Sequence, residues 1–119
     1  MNKQPEVTTA TRKNNIKAFW KLYGSKEISE IRIKDLTDLA GYHRATFYQY
    51  FTDIYDLLHQ EEESLIKNLE SMKKTIDSTN SNKDILDQIT EFYIQNGNRL
   101  SLLIGSGGDF KFVEKIKTT

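Results

Sequence analysis

Apolar side chains recur at a helical period along most of the chain. Ile16, Phe19, Trp20 and Tyr23 stand at i, i+3, i+4 and i+7, the stripe of an amphipathic helix, and Gly24 closes it. Thr8, Thr9 or Thr11 can cap this helix at its start, which leaves Met1 to Val7, polar and holding the only proline, Pro5, as a flexible arm. Lys26 to Arg32 then reads as a connection, with Ile28 and Ile31 tucked beneath it. A short second helix starts near Arg32 or Ile33, with Ile33, Leu36, Leu39 and Ala40 as one buried stripe. Gly41 ends it, because glycine accepts the left-handed conformation that a tight turn between crossing helices needs.

The run Ala40 to Phe51 is the most informative stretch. It predicts a third helix from His43 or Arg44 to Tyr50. At about 100° per residue, Phe47 and Phe51 fall on one side with Tyr50 at its edge. Ala45 and Gln49 fall opposite, flanked by Thr46 and Tyr48. The aromatic side is expected to pack on the preceding helices. The outer side offers hydrogen bonds to base edges, contacts for thymine methyls and groups that reach phosphates, which a helix in the DNA major groove requires. Arg44, Ala45, Thr46, Tyr48 and Gln49 are the expected base contacts, and small Ala45 lets the backbone approach the groove floor. Lys34 lies in the first turn of the second helix, where it can meet the phosphate backbone. His43, entering the third helix, can either donate to a phosphate or cover the turn.

Thr52 or Asp53 is a plausible N-cap for a long fourth helix, and Asp53-x-x-Asp56 has capping-box spacing with Asp in place of Glu. Ile54, Leu57, Leu58, Leu65, Ile66, Leu69, Met72 and Ile76 give that helix its apolar stripe, and Asp77 to Lys83 ends it. A fifth helix carries Ile85, Leu86, Ile89, Phe92 and Tyr93. Asn96 to Asn98 is expected to interrupt it before the apolar run Leu100 to Ile104. Gly105-Ser106-Gly107-Gly108 reads as a loop before Phe110, Phe112, Val113 and Ile116. No repeat and no strand pattern is evident, so the chain is expected to be all-α.

Composition narrows the functional classes. With 37% apolar and 29% charged residues, the chain fits a folded helical protein rather than a disordered one. The net charge is zero, yet Met1 to Thr52 holds nine Lys and Arg against five Asp and Glu, and Asp53 to Thr119 eight against twelve. The N-terminal half is therefore +4 and the remainder −4, so neutrality does not argue against a polyanionic partner. Cysteine is absent, which excludes disulfides and thiolate chemistry. The glycine run lacks the Lys-Ser or Lys-Thr of a phosphate-binding loop. His59, Glu62 and Glu63 form a set with metal-ligand chemistry, but a solvated acidic face explains them better. Neither histidine belongs to a recognisable triad, so no enzyme, cofactor or metal site is expected. The N-terminus is not a signal peptide and no stretch is a membrane span, which points to a soluble, cytoplasmic protein.

Trp20, the helix Ile33 to Ala40, then Ala40-Gly41, Arg44, Thr46-Phe47-Tyr48 and Tyr50-Phe51 before a leucine-bearing helix together resemble the DNA-binding domain of the tetracycline-repressor (TetR) family. The resemblance covers roughly Thr8 to Leu58. It implies a three-helix helix-turn-helix DNA-binding unit over 8–58, joined by a long helix to the start of a helical regulatory and dimerisation domain over 59–119. It further implies a homodimer, a palindromic or near-palindromic double-stranded operator and repression relieved by a small-molecule effector. By position, groove contacts fall on Arg44, Ala45, Thr46 and Tyr48, and backbone contacts on Lys34, Tyr42, His43 and Tyr50. The chain departs from the family in three ways. Ile54 replaces a frequent lysine, and Arg32 replaces the usual Ser or Thr cap, trading a cap for a cation that can also meet a phosphate. The chain is also short, as a truncated form would be. Two alternatives remain open: a regulator working through a protein partner without sensing a small molecule, and a helical protein-interaction module.

Overall fold

The computed structural model describes residues 5–105 and 109–118. They form six α-helices: α1 (Pro5–Tyr23), α2 (Ile33–Ala40), α3 (Arg44–Phe47), α4 (Ile54–Asp77), α5 (Asn82–Ile104) and α6 (Phe110–Lys117), with one 3-10 turn at Ile28–Glu30. No strand occurs among the described residues, so the architecture is all-α. No helix among them is long and apolar enough to cross a membrane. Internal contacts divide the chain into two units, 1–59 and 60–119, and α4 contributes residues to both.

The first helix begins earlier than its threonines suggest. Proline is well suited to a first helical position, because its missing N–H would have no partner there and its φ is already helical. Pro5 therefore opens α1, and Thr8, Thr9 and Thr11 lie inside the helix rather than capping it. Of the expected arm, Pro5 to Val7 are helical, and Met1 to Gln4 lie outside the described residues.

Phe19, Trp20 and Tyr23 form an aromatic cluster on α1, with Trp20 edge-on to both neighbours at 5.1 and 5.5 Å between centroids. They share the core of the first unit with Ala18, Ile31, Leu36, Phe47, Phe51, Ile54, Leu57 and Leu58. On α2 the inward direction runs between Leu36 and Thr37, both buried. Leu39 points about 110° away from it and is 51% exposed, so it leaves the stripe the sequence assigns it to. Thr37 is tolerated in the core because its hydroxyl donates to the Ile33 carbonyl at 3.0 Å.

Asp53 and Asp56 organise the start of α4. The Asp56 amide donates to Asp53 Oδ1 at 2.7 Å, and Asp56 Oδ2 accepts from the Thr52 amide at 2.8 Å. This is a capping box whose return bond reaches one residue further back than the standard form.

In the second unit α5 runs unbroken through Asn96 to Asn98, against the expected interruption. A buried asparagine is tolerated in a helix when its side chain finds partners without displacing the helical backbone bonds. Asn96 donates to the Phe92 carbonyl one turn back at 3.0 Å, and its Oδ1 accepts from Asn68 on α4 at 3.1 Å and from Arg99 at 2.6 Å. Arg99 also reaches Glu61 Oε1 at 3.1 Å. Satisfied on every side, this polar clamp fixes α4 against α5.

The set His59, Glu62 and Glu63 is a solvated face only in part, because His59 is exposed and Glu63 half-buried while Glu62 is buried. Glu61 is buried against Arg99, and Glu62 is only 7% exposed. Burial pushes the Glu62 carboxyl up to about 8, reinforced by a hydrogen bond with Asp109 and by that residue's charge. Asp109 is lowered in turn, first by the hydrogen bond from Glu62 and then by the amides of Lys111 and Phe112, which it caps at the start of α6. Lys115 pairs with Glu63. Among the described residues no group of three or more His, Cys, Asp or Glu is placed to hold a metal ion.

Candidate functional site

Gly41 is the pivot of the first unit. Its φ is +83°, and its amide and that of Tyr42 bond back to Asp38 and Thr37, closing α2 as a Schellman turn. A side chain at this φ would be strained, so the reversal depends on glycine. Two residues later His43 takes the extended N-cap conformation of α3 (φ −84°, ψ 156°), and its imidazole makes no capping hydrogen bond. The ring stays exposed beside the turn.

The third helix is shorter than expected, Arg44 to Phe47 rather than His43 to Tyr50. Beyond Phe47 the chain tightens: Gln49 and Tyr50 donate to the carbonyls of Thr46 and Phe47 in i to i−3 bonds, before Phe51 returns to Phe47. β-branched Thr46 and the aromatic run that follows lose rotamer freedom in a regular helix, and the tighter turn still aims both phenylalanines inward. Phe47 is fully buried and Phe51 nearly so, their rings 5.2 Å apart. Arg12 of α1 lies over the Phe51 ring at 5.4 Å.

On that aromatic base Arg44, Ala45, Tyr48 and Gln49 are exposed, whereas Thr46 is half-buried. Tyr50 and Tyr42 are also half-buried. Among the cations, Arg32 and Lys34 are exposed and lie beside carboxylates: Arg32 Nε is 3.5 Å from Asp35, and Lys34 Nζ is 3.4 Å from Asp38. Surface pairs of this kind hold their members weakly, so both cations can be drawn to a phosphate. Arg32 makes no side-chain cap for α2, as the missing Ser or Thr implies.

Two features of this surface escape the sequence reading. Asn14 of α1 donates to the Tyr42 hydroxyl at 3.0 Å, fixing where that phenol points. Lys13, Lys17 and Lys21, all exposed, form an i, i+4, i+8 row beside Asn14 on the same helix. The spacing of the lysines was available in the sequence; the contact of Asn14 with Tyr42 was not.

The second unit has a different concavity. An apolar cavity of about 270 Å³ lies among α4, α5 and α6, walled by Leu65, Leu69, Phe92, Leu100, Phe112 and Val113. Ile104 and Lys117 also line it, and both are exposed, which places an opening on their side.

Compared with models of protein families, with curated proteins and with solved structures, the chain matches none.

Proposed function

We propose that the protein is a sequence-specific, double-stranded DNA-binding transcriptional regulator of the TetR type, most simply a ligand-responsive repressor. The observation that carries this reading is the α2–Gly41–α3 reversal, which presents exposed Arg44, Ala45, Tyr48 and Gln49 on the buried base of Phe47 and Phe51. With only four residues in α3, base readout concentrates on Arg44, Ala45 and Tyr48, with Gln49 on the turn behind them and Thr46 contributing from its edge. Arg32, Lys34, Tyr42, His43 and Tyr50 form the phosphate-contacting rim. The +4 charge of the N-terminal half supports the same assignment.

A homodimer reading a palindromic operator follows from the need to fix two half-sites. The exposed Leu86, Ile89, Tyr93 and Ile94 on α5 supply apolar surface for a second copy or a protein partner. Because α4 is common to both units, a tilt of it on effector binding is the proposed route from regulation to DNA.

Selection from random duplexes followed by a mobility-shift assay tests the reading. A recovered sequence with two related half-sites is the expected result, and no selected sequence even at low salt would instead favour a protein-interaction module. Within that assay Arg44→Ala should relax base preference and weaken specific binding by roughly 1 to 3 kcal/mol; unchanged selectivity would remove Arg44 from the readout. Lys34→Ala should weaken all sequences alike and lower the salt slope by about one unit. A sequence-selective loss there would move Lys34 from the backbone to the bases.

A further inference from the structure

We propose that the cavity among α4, α5 and α6 binds a single-chain amphiphile with an anionic head, its tail among the apolar walls and its carboxylate at Lys117. The walls contain no charged side chain apart from Lys117, so nothing inside can serve a polar ligand body. An empty apolar space of this size forfeits packing that a hydrocarbon restores. Apolar cavities of about 150 Å³ accept a six-carbon ring, so 270 Å³ holds a chain of roughly ten carbons.

The sign of the head follows from the opening. Among the described residues Lys117 is the only ion lining the cavity, and its partner Glu114 is an exposed neighbour 3.4 Å away that a bound carboxylate can replace. The helix that bears it, α6, holds Lys111, Lys115 and Lys117 against Glu114 alone. The acidic pair Glu62 and Asp109 stands one helical turn before Leu65 and Phe112 and does not line the cavity. A cationic head therefore has no counter-ion inside and meets a like charge at the mouth.

As the effector class of the regulator, this proposal rests on the DNA-binding reading; as a binding site it does not. Calorimetry on the full chain at pH 7, below micellar concentrations, compares decanoate, 1-decanol and decylammonium. Decanoate should bind several-fold more tightly than decanol, with decylammonium weakest, and carboxylate affinity should rise with chain length and level off near ten carbons. Lys117→Glu, a change at an exposed position, should reverse the order of the two charged ligands. Equal affinity for all three, an order unaffected by Lys117→Glu, or no binding would overturn the site. Operator binding without amphiphile binding would sink this proposal alone; amphiphile binding without any operator would sink the regulator and leave the site standing.

Discussion

Phe47→Ala is expected to destabilise the first unit by about 3 to 5 kcal/mol, the cost of emptying a fully buried aromatic position. Domains of this size hold only about 5 to 15 kcal/mol in total, so the variant should lose much of its folded population under mild denaturant. The effect is large because the ring touches both neighbours that define the turn, Tyr48 edge-on at 5.7 Å and Phe51 at 5.2 Å. Removing it deprives the exposed face of α3 of its base. The sole tryptophan, Trp20, lies in this core and reports its unfolding by fluorescence in urea. Tyr48→Ala is the internal control. That residue is 55% exposed, and its loss should shift the midpoint little while altering DNA selection. Equal midpoints for the two variants would mean that Phe47 does not anchor the turn.

The contrast between these two adjacent aromatics was legible in the sequence, because a helical wheel separates residue 47 from residue 48 by the same angle in any short helix. So was the reversal at Gly41, since few residues other than glycine accept its φ. Helix ends at Pro5 and Phe47 were missed for local reasons, whereas side-chain burial was missed where the deciding interaction lay with a packing partner. Leu39 has the right spacing for a buried stripe, but on a helix of eight residues the choice between Leu39 and Thr37 is made by what packs against it. Asn96 reads as a helix breaker until Asn68 and Arg99 supply partners from α4 and from the next turn. Glu62 reads as solvated charge until Asp109, dozens of residues later, meets it in a buried setting. A period states which way a side chain points, and not what waits there, for Leu39 as much as for Asn96 and Glu62.

Buried Glu62 of the second unit gives the other large expectation, a stability that falls as pH rises. Glu62 titrates near 8 in the folded chain against an ordinary 4.5. Between those values the folded state holds a proton that the unfolded state has released, so stability declines with pH, approaching a tenfold change in the folding equilibrium per pH unit where this group alone differs. Below the ordinary value both states are protonated and the full stability is present; above about 8 both are ionised and the loss is complete. Asp109 is shifted the other way and contributes stability that disappears only when pH falls below the ordinary carboxylate range. The other charges facing Glu62 act in opposite senses, Lys115 favouring its ionised form and Glu63 opposing it. Glu62→Gln keeps a donor for Asp109 without a proton to lose. Urea titrations followed by circular dichroism should find the variant close to the parent at pH 5, clearly more stable at pH 8 to 9, and nearly flat between. Parallel curves for the two chains would place the proton elsewhere, and a variant weaker than the parent at every pH would mean that the carboxyl of Glu62 serves the fold in its charged form.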